Sequence, residues 1–302
     1  MRRSLKHAFE LGLTISGATR LARTRRAADI LVLAYHNIVP EGERAHGDHS
    51  LHLPQREFAR QLDLLRRTHD IIAITQLAAG HRSGKPRAVI TFDDAYAGAL
   101  EAGTAELKAR GMPATIFVTP SFVGGASFWW DRFAPPDERG LEPRWRAQAL
   151  DEFRGMDAGI TAWAASAGRS EQTVPSHQRG ASEADLRRAE STGLITFGSH
   201  TWSHPNLARL RPAELAEEIA RPLEWLKQRF ANALPLLAYP YGCYNHDVIT
   251  TVRRHGYQSA FRIDGGWVTE SALTTSAYEL PRWNVPAGIS MRGFEIRTSG
   301  AL

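Results

Sequence analysis

The chain has 302 residues, 43% of them hydrophobic and 23% charged, a balance that suits a globular protein with a sizeable core. Its single cysteine, Cys243, excludes an internal disulfide. Lys and Arg outnumber Asp and Glu by 37 to 32, and the excess gathers at the start, where Arg2, Arg3, Lys6, Arg20, Arg23, Arg25 and Arg26 face one acid, Glu10.

Residues 1–29 read as a basic, weakly amphipathic helical extension. Glu10 interrupts the mildly apolar stretch 8–18, so neither a signal peptide nor a membrane-spanning helix is recognised there. Two uses fit such a helix: contact of residues 1–28 with an anionic membrane, or packing on the outside of the domain. The expected location is cytoplasmic, peripheral on the inner membrane face in the first case. No motif accompanies the charge that would suggest nucleic acid as a partner.

From Ile30 onward, short apolar runs alternate with helical patterns, the signature of β/α units around a parallel sheet in one domain, 30–302. Strands are expected at Ile30–Tyr35, Arg87–Phe92, Ala114–Val118, Leu194–Gly198, Leu236–Tyr239 and Gln258–Arg262. Their continuous apolar character fits strands buried on both faces. Helices are expected at Gln55–His69, Ala97–Arg110, Ser182–Thr192, Pro212–Phe230 with a kink at Pro222, and Asn245–His255. Between 119 and 180 the alternation lapses, and the segment reads as an insertion in the same domain.

Asp93-Asp94 ends the second apolar run. Two adjacent buried carboxylates are costly unless a cation neutralises them, so a metal or a helix N-cap pair are the alternatives. Ser199-His200-Thr201-Trp202-Ser203-His204 ends another run, and histidines four apart reach a common point if the chain turns once. No Glu follows the first His, so the HExxH zinc-protease pattern fails. Together the two motifs supply Asp94, His200 and His204, two imidazoles and one carboxylate with a position left for water. Tyr239-Pro240-Tyr241-Gly242 ends a third run in a tight turn that aims backbone inward. His36, after Tyr35, reads either as a general acid or as a core histidine. Trp129 and Trp130 suit sugar stacking or loop anchoring, and His46, His49 and His52 suit a solvated loop better than a metal site.

Thr91-Phe92-Asp93-Asp94, His200-Thr201-Trp202-Ser203-His204 and Tyr239-Pro240-Tyr241-Gly242, in this order, resemble the polysaccharide deacetylases of carbohydrate esterase family 4. The resemblance implies an α/β fold, a distorted (β/α) barrel with fewer than eight regular strands. It also implies Asp93 as general base, and Asp94, His200 and His204 as ligands of one divalent ion, zinc first, with Co2+, Ni2+ or Mn2+ as alternatives. Tyr241 would offer its backbone N–H to an oxyanion. The early Tyr-His pair resembles the branch that deacetylates poly-N-acetylglucosamine, where that histidine is the acid, so His36 takes the role. Two departures stand out. Ala95 replaces a usual Gly, and Ala238 occupies the place of an Arg that many members use near the third motif. Arg282 in Leu280-Pro281-Arg282-Trp283 is the candidate to hold Asp93 instead, on the substrate side with Tyr241 and Trp130.

The function implied is removal of N-acetyl groups from a sugar in a polysaccharide, oligosaccharide or precursor. A deformylase or deacylase of a lipid-linked sugar, and a catalytically silent carbohydrate-binding barrel, are the alternatives.

Overall fold

The computed structural model describes residues 10–80, 83–135 and 140–302. In chain order its strands are β1 (Ile30–Tyr35), β2 (Asn37–Val39), β3 (His52–Pro54), β4 (Asp70–Ile71), β5 (Arg87–Phe92), β6 (Ala114–Val118), β7 (Ile195–Ser199), β8 (Ala233–Ala238), β9 (Ser259–Phe261), β10 (Trp267–Val268) and β11 (Trp283–Asn284). The six apolar runs become the parallel staves β1-β5-β6-β7-β8-β9. The segment leading into β11 closes the curl. Leu280 bridges to Phe261 of β9, while Trp283 and Asn284 pair with Leu33 and Ala34 of β1. The architecture is the distorted barrel expected from the sequence.

Period-two alternation explains why these runs are apolar throughout. Ile30, Val32, Val89, Phe117, Leu236 and Phe261 pack together in the barrel interior. Leu31, Leu33, Ala88, Ile90 and Ile116 face outward into a second cluster with the helices. Helix Gln55–Thr68 contributes Phe58, Leu62 and Leu65 to that cluster at the expected helical spacing.

The remaining helices follow local chemistry. Before Thr104–Arg110 the chain makes one wide π turn over Ala99–Gly103. Here Gly98 passes so close to β2 that a Cβ would sit 2.2 Å from the Ile38 carbonyl oxygen. Ser182 and Asp185 form a reciprocal cap on Glu183–Glu190. Helix Pro212–Arg229 runs through Pro222 as one element. A proline has no N–H to return to the carbonyl four residues earlier. That carbonyl, on Glu218, instead accepts the Trp202 N–H at 3.1 Å.

β6 and β7 are neighbours in the sheet, so residues 119–180 leave and rejoin the barrel between adjacent staves. They form helices Trp129–Arg132, Pro143–Asp151 and Asp157–Ser166. Aromatic rings fasten them: Trp145 and Phe153 each stack on Trp163 with centroids 4.7 Å apart, and Trp145 lies 5.9 Å from Trp129.

Residues 10–15 and Ala18–Arg25 are helical and rest on helix Met291–Ser299. Ser290 Oγ donates to the Glu10 carboxylate at 2.9 Å, and Arg23 lies 3.6 Å from Glu295. Leu11, Ile15 and Leu21 stay exposed, Ile15 by 75%. Arg2, Arg3 and Lys6 lie outside the described residues. No described helix is long and apolar enough to cross a membrane.

Candidate metal centre and active site

Strand register assembles the site. Tyr35 pairs with Phe92, so His36 and Asp93 leave β1 and β5 side by side. Ser199 of β7 pairs with Val118 and with Leu237 of β8, which brings His200 beside the turn at 239–242. Along β5, Val89, Thr91 and Asp93 share the inward face, and Asp94 follows at the rim. A cavity of about 110 Å³ opens there, lined by His36, Asp93, Asp94, His200, His204 and Tyr241 among others.

Asp94, His200 and His204 converge, with one donor atom from each inside a 4.8 Å span, and all three are buried. His204 Nε2 lies 3.1 Å from His200 Nε2 and 3.2 Å from Asp94 Oδ1, and His200 Nε2 lies 3.6 Å from that oxygen. Donors of a four-coordinate zinc, with bonds of about 2.0–2.1 Å, stand about 3.3–3.4 Å apart. The spacing therefore fits. So does the chemistry. His200 Nδ1 meets the Ala238 carbonyl at 2.8 Å, a contact only its N–H form satisfies, which turns the Nε2 lone pair toward the site. Burial pushes the His204 pKa down to about 3 and lowers that of His200 too, so both are neutral donors. Asp94 Oδ1 is buried without a hydrogen-bond partner. A buried imidazole pair in contact through Nε2, with an unpartnered His204 Nδ1 and an unsatisfied carboxylate oxygen, is a costly arrangement that a cation would relieve.

Asp93 differs. Arg282, fully buried, grips it with two hydrogen bonds of 2.6 and 2.8 Å and also donates to Thr91 Oγ1 at 3.1 Å. Burial raises the Asp93 pKa, yet the Arg282 guanidinium, with His200 and His36, holds it well below the usual carboxylate range. The two carboxylates are thus pushed apart: burial drives Asp94 up to about 6 against the pull of His200 and His36.

His36 is half-buried in the same cavity, its pKa lowered by burial while Asp94 and Asp93 pull it upward. Tyr241 sets its ring perpendicular to His204, 4.5 Å away, and its hydroxyl accepts the Trp129 indole N–H at 3.1 Å. Trp129 and Trp130 are only 1% and 4% exposed, which favours loop anchoring of the two uses expected for them. Trp130 is wall: its ring lies 4.8 Å from His204 and its N–H donates to Tyr96 Oη at 2.8 Å. The solvated-loop reading fails for His52, which is buried and meets the buried Asp131 at 3.0 Å, tying β3 to the 119–180 segment.

Backbone strain gathers at this place. Six non-glycine residues among those described have positive φ, and five of them are Asp94, Ala95, Thr201, His204 and Tyr241. Each left-handed non-glycine residue costs roughly 1–2 kcal/mol, which a fold retains chiefly where geometry matters. Ala95 at φ 56° adopts a conformation that a glycine would reach without that cost.

A family model described as polysaccharide deacetylase matches residues 80–260, more than half of the chain. The chain belongs to the polysaccharide deacetylase family. YxkH of Bacillus subtilis (strain 168) is 22% identical over 280 residues, covering 90% of this chain and 77% of that one. The poly-beta-1,6-N-acetyl-D-glucosamine N-deacetylase of Staphylococcus aureus (strain MRSA252) is 25% identical over 111 residues, 33% of this chain and 37% of its own length. Among solved structures, IcaB from Ammonifex degensii superposes with a TM-score of 0.60 at 18% identity, covering 92% of this chain and 99% of that one. Membership makes this chain a hydrolase of the deacetylase class acting on amide bonds.

This deacetylase also carries a support that no sequence motif announced. The Glu218 carboxylate accepts the N–H groups of Trp202 and Ser203 at 3.0 and 2.8 Å and the Ser203 hydroxyl at 2.6 Å. Its own carbonyl, opened by Pro222, takes a share of Trp202 as well. The loop bearing His200 and His204 is thereby bound to a helix that starts eight residues after it. A proline inside a helical pattern was the available signal, since it always leaves a carbonyl seeking a partner.

Proposed function

We propose that this polysaccharide deacetylase removes acetyl groups from an N-acetylated sugar with one divalent ion held by Asp94, His200 and His204. The carrying observation is the convergence of these three donors beside a carboxylate, Asp93, that is clamped separately by Arg282. When bound, zinc, or Co2+, Ni2+ or Mn2+, would polarise the amide carbonyl and acidify water from a pKa of 15.7 toward about 7. The remaining roles fall to the chain. Asp93, kept ionised by Arg282, accepts the proton of the attacking water. The Tyr241 N–H donates to the carbonyl oxygen as negative charge gathers on it, a contribution of about 3 kcal/mol for one such donor. His36 gives a proton to the nitrogen as the C–N bond breaks, leaving acetate and a free amino sugar. Trp130 and Arg282 hold the wall and the base. The poly-N-acetylglucosamine deacetylase among the relatives supports an N-acetyl-glucosamine substrate class.

Asp93→Asn should lose turnover while still binding zinc, whereas His204→Ala should lose both, as read by acetate release and metal analysis. Undiminished turnover in Asp93→Asn would remove Asp93 as the base.

A lipid-linked sugar as substrate of a deformylase or deacylase is favoured by one observation, the exposed Leu11, Ile15 and Leu21 on helices that also carry Arg20 and Arg25. On this reading residues 1–28 touch an anionic membrane. Flotation with anionic vesicles should then be lost in an Ile15→Asp, Leu21→Asp double variant, and equal flotation of both proteins would refute the contact. The silent-barrel alternative is disfavoured by the strained, unsatisfied polar site, for which a purely structural barrel has no use.

A further inference from the structure

We propose that Arg146 makes this enzyme selective for an N-acetylated sugar that carries an anionic group, carboxylate or phosphate, next to the acetamide under attack. The inference rests on the deacetylase reading and names its substrate class. Arg146 sits in helix Pro143–Asp151 of the 119–180 segment and lines the same cavity as Asp94 and His204. Its guanidinium lies 5.7 Å from the Tyr241 ring, whose centroid is 4.5 Å from that of His204, so a single aromatic ring links the cation to the donor set.

Three observations set it apart. Arg146 has no carboxylate within ion-pair distance among the described residues. Several arginines near the site are matched: Arg282 by Asp93, Arg154 by Glu214 at 2.8 Å, Arg209 by Asp151 at 2.9 Å, Arg132 by Asp157 at 2.5 Å and Arg262 by Asp264 at 2.5 Å. Arg144 and Arg169 also lack a carboxylate partner among the described residues, but neither lines the cavity as Arg146 does. Its mounting is firm, because the adjacent Trp145 is held between Trp129, Phe133 and Trp163. An unmatched, half-buried guanidinium on a rigid support suits a carboxylate or phosphate by charge and by fork geometry. A neutral glycan gives it nothing comparable. The competing role is local: over the Tyr241 ring, Arg146 would merely steady that turn.

The test compares kcat/KM for acetate release by the zinc-loaded full chain on two matched pairs. One is N-acetylglucosamine 1-phosphate against methyl N-acetylglucosaminide. The other is a tetrasaccharide alternating glucuronate and N-acetylglucosamine against the neutral N-acetylglucosamine tetramer. The native enzyme is expected to favour the anionic member of at least one pair, less so at high salt, and the pair that responds tells phosphate from carboxylate. Arg146→Gln should reduce that preference about tenfold or more, mainly through KM, with partial recovery in Arg146→Lys. A native enzyme with no anionic preference, or a variant slowed equally on both members through kcat, overturns the proposal and leaves deacetylation standing. No acetate from any of the four substrates would instead remove the deacetylase reading, and the inference with it.

Discussion

Asp93 and Asp94 are neighbours in the chain with opposite surroundings, one locked to a guanidinium and the other facing two imidazoles. That division of labour is how one pair of identical side chains can supply a base and a ligand. It was partly legible. Each of Asp93, Asp94, His200, His204 and His36 follows an apolar run, so strand ends alone gathered them at one barrel rim. Arg282 emerged only because Ala238 left an expected cation missing, Glu218 was signalled only indirectly by Pro222, and Arg146 gave no signal, since nothing local marks a cation that folding brings to the cavity. The Arg282 clamp has a measurable consequence. Arg282→Leu leaves a buried carboxylate unpaired, which should destabilise the protein by about 3–5 kcal/mol, read as a large fall in melting temperature. An unchanged melting curve would mean that Asp93 is not held as a buried charge.

Secondary structure elements were legible in proportion to their length and burial. The six staves and the helices between them carry uninterrupted apolar runs or a clear helical period. The two-residue strands β4, β10 and β11 carry neither, and only tertiary pairing makes them strands. The junction of helices Gln55–Thr68 and Met291–Ser299 is of this hidden kind. It is sealed by His69, which is buried, meets the Thr298 carbonyl at 2.9 Å and lies against Trp267. Burial pushes its pKa down to about 4. The folded state therefore holds His69 neutral, and below about pH 6.5 the unfolded chain binds the extra proton. The contribution is complete above pH 6.5 and is lost as pH falls toward 4, by up to about 3 kcal/mol. Denaturant unfolding at pH 7 and pH 5 should show this loss, and His69→Gln should remove that part of the pH dependence. Identical slopes in both proteins would place the acid sensitivity elsewhere.

At the scale of the whole molecule, the barrel brings residues from five separate segments to one rim, and the 119–180 segment packs Trp130 and Arg146 against them. The fold class was readable because β/α alternation with doubly buried strands has few solutions. The 119–180 segment was not, because its structure depends on aromatic contacts among Trp129, Trp145, Phe153 and Trp163 rather than on a repeating pattern. Arg282, Trp130 and Glu218 brace a site whose donors are already spaced for one cation. The most direct test is acetate release from N-acetylglucosamine oligomers as zinc is stripped by a chelator and then restored. The account predicts that turnover falls with zinc content and returns with it. Turnover that persists in fully stripped protein would contradict it.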